Sequence, residues 1–213
     1  MMISFDGNVY VGKTTLIKSL SQRYGFSTID EHSFFINDIQ QKDYYENEYV
    51  NTQARYLDVD IQRGKLLRNG INLLDRSFVS VSAHVYAIYK LGLVDIRSSY
   101  LELLVSKVGE ILIPDIFVFV SCEYETSRAR CFESGNRKQT GDLYLSEQYF
   151  RFVKIFNVNF ISMVNGHVID TESIFTDTSC VDMYNRIVLN SRNKKITKDT
   201  VAMIDNIRNC LDL

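Results

Sequence analysis

The chain has 213 residues, 46% apolar and 23% charged, with 24 Lys and Arg against 26 Asp and Glu, for a net charge of −2. A chain of this length and make-up buries roughly 70% of its unfolded surface, which excludes a disordered or fibrous protein and removes the need for disulfide or metal staples. Its balanced charge advertises neither nucleic acid nor an anionic membrane as a partner, and no run approaches the ~18 apolar residues of a membrane span.

In chain order, Met1–Phe5 is a short apolar run that reads as a strand ending at Asp6-Gly7. Leu16, Leu20 and Tyr24 then recur at four-residue steps, so Lys13–Tyr24 reads as a helix stopped by Gly25. Phe26–Asp30 is a second strand with Glu31 at its C-terminal end. Residues 33–69 are polar and tyrosine-rich and hold one or two helices. Ile71–Leu74 is a buried strand ending in Asp75-Arg76-Ser77, with helices expected over about 80–91 and 95–112. Ile116–Val120 is the most strand-like run, introduced by Pro114, the only proline. A helix over about 123–134, a polar stretch Gly135–Asp142 and a helix over about 145–164 follow. His167–Asp170 is a fifth strand, and helices over about 178–191 and 197–211 finish the chain. This alternation predicts one α/β domain over 1–213, a five-stranded parallel sheet with helices on both faces.

Four scattered cysteines, Cys122, Cys131, Cys180 and Cys210, form no CxxC pair and have only three histidines as helpers, so a zinc site is not expected. Buried free thiols in a reducing compartment are the expectation. The opening MMISFDGNVYVGKTT lacks the basic stretch and apolar run of a signal peptide, so the expected location is the cytoplasm.

Gly7-Asn8-Val9-Tyr10-Val11-Gly12-Lys13-Thr14 fits GxxxxGK[ST], with a strand before it and a helix after it. Gly7 and Gly12 let backbone N–H groups approach phosphate oxygens, and the helix aims its positive end at the same point. Lys13 is suited to neutralise the β- and γ-phosphates of ATP, and Thr14 to offer its hydroxyl to Mg²⁺. Thr15 and Arg128 complete the expected ATP-binding set. The bland alternative is a glycine turn with an incidental lysine.

Ligands of open α/β sheets sit outside the carboxyl ends of the strands, where several charges fall. Asp75 is the candidate for the magnesium shell; its alternative is a helix N-cap. Arg76 suits a clamp on a phosphate or transferred group, or else a surface ion pair. Glu31 suits a general base or an acceptor-orienting group, or else a solvated loop charge. Arg128, Arg130, Arg137 and Lys138 surround Gly135, and arginines on a lid would neutralise a transferring phosphoryl group; the alternative is a basic helix face.

FDGNVYVGKTTL, LLDRSFVSVSA, IPDIFVFVSCEYETSRAR and VIDT occur in this order over residues 2–172. Together they resemble the thymidylate kinase and deoxynucleoside kinase branch of P-loop kinases. The resemblance implies a P-loop NTPase fold with a lid around 135–143, ATP and Mg²⁺ as cofactors, a small nucleotide or nucleoside as substrate, and a homodimer. It places Lys13 and Thr14 on phosphate and metal, Asp75 and Arg76 at the reacting centre, and Arg130 and Arg137 in the lid. Two sub-branches compete. Ser80 and Ala83 are spaced as in thymidylate kinases, and Arg55 falls one residue from their thymine-contacting arginine. Their Arg-Glu-Pro-Gly segment is replaced by Asp30-Glu31-His32-Ser33, and Val85 stands near their glutamine. Asp75-Arg76-Ser77 and Glu31 fit nucleoside kinases, with Glu31 as base for the 5′-hydroxyl and Gln53 as a stand-in for the base-reading glutamine, while Val81 replaces their base-reading aspartate. The leading expectation is transfer of the ATP γ-phosphoryl group to a nucleoside monophosphate held by Glu31, Arg55, Arg76 and Ser80. The first alternative is a deoxynucleoside acceptor; the second is another small-molecule acceptor or a regulatory nucleotide-binding role.

Overall fold

The computed structural model describes residues 1–35, 46–135, 141–172, 185, 187 and 199–213. Five strands pair in one all-parallel sheet: β1 (Met2–Asp6), β2 (Ser27–Ile29), β3 (Asn72–Asp75), β4 (Ile116–Ser121) and β5 (His167–Asp170), in spatial order β2-β3-β1-β4-β5. The helices are α1 (Lys13–Tyr24), α2 (Glu46–Gly64), α3 (Phe78–Lys90), α4 (Arg97–Lys107), α5 (Tyr124–Glu133), α6 (Glu147–Val164) and α7 (Thr200–Cys210). Short 3₁₀ turns lie at His32–Phe34 and Asp142–Leu145. Helices at least a dozen residues long link most strands because parallel strands need crossovers.

Pleating sorts the core. On β4, Ile116, Val118 and Val120 face one way and pack with Ile3 and Phe5 of β1 and Leu16, Ile17 and Leu20 of α1. Phe117 and Phe119 face the other way into a larger cluster with α3, α6 and α7. The described C-terminal helix α7 belongs to this core: Met203, Ile204 and Ile207 are buried in it. Arg97 holds the chain end by donating to the Leu211 and Asp212 carbonyls at 2.9 and 3.2 Å.

Several boundaries differ from the sequence expectations. Helix α3 begins two residues early, because Ser77 accepts a hydrogen bond from the Val79 N–H and caps it. Strand β2 shortens to three residues and α4 to eleven. The expected 178–191 helix falls almost wholly outside the described residues, as do residues 136–140 of the expected lid. Cys122, Cys131 and Cys210 are buried free thiols, and Cys180 lies outside the described residues. No helix among the described residues is long and apolar enough to cross a membrane.

What matters for function is the register. Phe5 pairs with Asp75 and Asp6 with Phe119. The ends of β1, β3 and β2 therefore bring Asp6-Gly7, Asp75-Arg76 and, past Ile29, Glu31 to one edge of the sheet.

Candidate active site

The β1–α1 turn has little freedom at its first residue. Gly7 has φ +139°, and a Cβ there would lie 2.3 Å from the Val120 carbonyl oxygen. No side chain fits, and glycine is obligatory. Neighbouring elements pin the rest of the loop. Ser127 of α5 donates to the Val9 carbonyl, Thr171 donates to the Val11 carbonyl, and the Asn8 amide donates to the Phe150 carbonyl of α6. Lys13 is buried and folds back to donate to the Asn8 carbonyl. Burial, then the positive charge of Arg76, lower the Lys13 ammonium to a pKa of about 7, against the opposing pull of Asp75, Glu31 and Asp6. The loop thus holds a cation poorly solvated in the absence of an anion.

Beside it, the exposed Thr14 hydroxyl donates to Asp75 Oδ2 at 2.6 Å. Asp75 Oδ1 is buried with no hydrogen-bond partner among the described residues. A hydroxyl and a carboxylate with one oxygen unspent, next to a phosphate loop, are hard oxygen donors that fit Mg²⁺. The α3 cap falls to Ser77, so Asp75 is not the N-cap.

Arg76 adopts φ +66°, a left-handed conformation that costs a bulky residue about 1–3 kcal/mol. The twist turns its side chain back over the sheet edge. Its Nε donates to Glu31 Oε2 at 2.9 Å and its Nη1 to the Gly7 carbonyl at 3.0 Å. Burial pushes the Glu31 carboxyl up, but Arg76, the Ser33 hydroxyl and Lys13 outweigh it and hold Glu31 at about 2. Glu31 is therefore ionised at neutral pH.

A cleft opens from this pair, with about 740 Å³ of empty space counting the part open to solvent. Gln53, Tyr56, Val81, His84, Tyr144 and Tyr149 form much of its wall. Gln53 is buried, and its Nε2 has no hydrogen-bond partner among the described residues. His84 lies between two phenols, Tyr49 on Nε2 at 2.6 Å and Tyr149 on Nδ1 at 2.9 Å. Burial first, then Arg76, lower its pKa to about 4, so the ring is neutral at pH 7. A neutral imidazole has one donor and one acceptor, so one phenol donates to it and the other accepts.

Lys13, Thr14, Glu31, Asp75 and Arg76 thus converge on one sheet edge. Arg130 reaches the same region, donating to Thr171 Oγ1 and O at 3.1 and 3.0 Å, with Nη1 3.8 Å from where a Gly12 Cβ would lie. Arg128 does not: it is exposed, 3.8 Å from Glu125 and over the Phe132 ring. Arg55 is exposed on α2 and is not part of the cleft wall. Ser80 borders the cleft but gives its hydroxyl to Asp6 Oδ1 at 2.7 Å. Tyr10 takes φ +55° within the loop, and Thr15 is exposed on α1. Arg137 and Lys138 lie outside the described residues.

The sequence reading missed Asp6, which is buried and also accepts from the Ser77 N–H and hydroxyl. Its signal was an acid closing an apolar strand, at the position that Asp75 occupies on β3. It also missed His84 and Tyr149, 65 residues apart, and the i,i+3 pair Asp60 and Arg63, whose further partners His32 and Asp75 lie on other elements.

The fold is that of the nucleoside and nucleotide kinases with a P-loop. The chain is similar to a deoxyadenosine kinase from M. mycoides with bound dCTP, at TM-score 0.64 and 20% identity over 90% of this chain and 100% of the other. It is similar to the same enzyme with bound dATP, at TM-score 0.60 and 17% identity over 91% and 100%. A thymidylate kinase from Candida albicans matches at TM-score 0.61 and 17% identity over 91% and 93%. Comparison by sequence alone finds no matching family model and no matching curated protein.

Proposed function

We propose that the protein is an ATP-dependent phosphotransferase whose acceptor is the hydroxyl of a nucleoside. The observation that carries this reading is the charge of the acceptor cleft. Among the described residues, its wall holds one guanidinium, Arg76, and that is already paired with the one carboxylate, Glu31. A dianionic monophosphate would meet Glu31 at close range with little uncompensated positive charge to hold it. A neutral nucleoside meets no such penalty. The placement of Gln53 in the wall and Arg55 outside it supports the same choice.

In this reading Lys13 and the loop N–H groups bind the ATP phosphates, with Arg130 close by. Thr14 and Asp75 would hold Mg²⁺, which would supply positive charge to neutralise the phosphates. Glu31 orients the acceptor hydroxyl. The hydroxyl oxygen bonds to the γ-phosphorus, the bond to the β-phosphate bridging oxygen breaks, ADP leaves, and the hydroxyl proton passes to Glu31. A loose transition state demands little base strength, which suits a carboxylate of low pKa. A homodimer in the cytoplasm belongs to the same proposal.

A nucleoside monophosphate is the second reading, supported by the likeness in fold to a thymidylate kinase. Substitution separates the two. With a nucleoside acceptor, Gln53→Leu should raise KM about 10-fold or more by leaving a ligand polar group unpaired, while Arg55→Ala stays within about 2-fold. Damage from Arg55→Ala with a monophosphate acceptor, and indifference to Gln53→Leu, would overturn the nucleoside reading.

A further inference from the structure

Arg63 of α2 is fully buried, although nothing in the phosphoryl-transfer chemistry calls on it. Its Nη2 donates to the Asp75 carbonyl oxygen at 2.6 Å and its Nη1 to Asp60 Oδ1 at 2.8 Å. Asp60 Oδ1 also lies 3.0 Å from His32 Nε2, and His32 follows Glu31 directly. Arg63 Nη1 also lies 3.4 Å from His32 Nε2, and the roles of that nitrogen toward Arg63 and Asp60 depend on the His32 tautomer.

The peptide between Asp75 and Arg76 is thereby held from both sides. Its carbonyl is taken by Arg63, and its N–H donates to the Phe5 carbonyl at 3.0 Å. This is the peptide that leads into the left-handed backbone of Arg76. Strain of that kind persists only where the surroundings over-determine it. The pair is a poor device for stability alone. Asp60 Oδ2 and Arg63 Nε are both buried with no hydrogen-bond partner among the described residues, and a buried ion pair is seldom better than an apolar replacement.

We infer that Asp60 and Arg63 are positioning residues. They form a buried strut that fixes the Asp75–Arg76 corner and the Glu31–His32 turn relative to each other, and so sets the reach of Arg76 to Glu31 and the phosphate loop. The inference rests on the proposed function only in taking Asp75 and Arg76 as the reacting centre.

The test replaces the whole pair, Asp60→Leu with Arg63→Met, so that no lone charge is left buried. Arg63→Lys is made in parallel; it keeps the charge but cannot bridge with two nitrogens of one planar group. Two quantities are read: hydrogen exchange of the Arg76 amide, with Val118 of β4 as the internal reference, and kcat and KM for ATP with a nucleoside acceptor. The strut predicts that Arg76 exchange rises about 10-fold or more while Val118 is unchanged. It predicts a kcat loss of about 10-fold or more with KM for ATP within about 3-fold, because Ser127, Thr171 and Asn8 anchor the phosphate loop independently of Asp60 and Arg63. Unchanged protection of Arg76 in both variants, or loss spread equally to Val118, would overturn the strut whatever the activity. Selective loss at Arg76 with wild-type turnover would leave the strut standing and overturn the assignment of Asp75–Arg76 as the reacting centre.

Discussion

At the residue scale, two groups have pH signatures that follow from their surroundings. Lys13 at about 7 must be protonated to meet ATP, and bound phosphates raise its pKa. Nucleotide affinity should therefore be full below pH 7 and fall as pH rises above it, by up to about 10-fold per unit. Titrating Kd for ATP from pH 6 to 9 checks this, and Lys13→Met should be weak and nearly flat. His84 runs the other way on stability. Its folded pKa, about 4, lies below the ordinary 6.5, so the unfolded chain binds more protons between these values. Stability from this site is complete above pH 6.5 and is lost as pH falls toward 4. Denaturant midpoints across that window should lose part of their slope in His84→Gln. Glu31→Gln should cost on the order of 10²-fold in kcat with a nucleoside acceptor, because the amide cannot take the hydroxyl proton. With wild-type turnover in that variant, Glu31 has no part in the reaction. The placement of Lys13, Thr14 and Asp75 was legible in the sequence because a glycine-bounded turn and a strand-end acid mark it locally. The Arg63–Asp75 and His84–Tyr149 contacts were not, since 12 and 65 residues separate the partners.

At the element scale, the site exists because three parallel strands stop at one edge. Strand positions were readable from apolar runs bounded by glycine and acids, and β5 matches its expected range residue for residue. Helix starts were less so. The α3 boundary was decided by the Ser77 hydroxyl, a cap two residues beyond the Asp75 that also had capping chemistry. The tyrosine-rich stretch split its roles: Tyr49 entered the core beside His84, and Tyr56 joined the cleft wall. The turn after β1 carries the sharpest structural demand. Gly7→Ala forces a Cβ against the Val120 carbonyl and strains a positive φ, so it should cost about 2 kcal/mol or more. Chemical denaturation should show the loss, with ATP binding reduced alongside it. A variant as stable as wild type would mean that β4 yields without cost to the loop.

At the scale of the whole molecule, the sheet order brings the β1–α1 loop and the cleft together at the Arg76–Glu31 pair. The five-stranded parallel architecture could be read from the alternation of elements. The acceptor could not, because its choice depends on which side chains of α2, α3 and α6 face one cleft, a property of packing rather than of spacing. Arg55 and Gln53, two residues apart on α2, illustrate this: one turns to solvent and the other into the wall. We propose that this cleft accepts a neutral hydroxyl rather than a phosphate. The most direct test is one assay with ATP and Mg²⁺ in which each nucleoside competes with its own 5′-monophosphate, and both products are counted. With a neutral acceptor, kcat/KM for the nucleoside should exceed that for the monophosphate by about 10-fold or more. A preference for the monophosphate, or diphosphate as the main product, would contradict it.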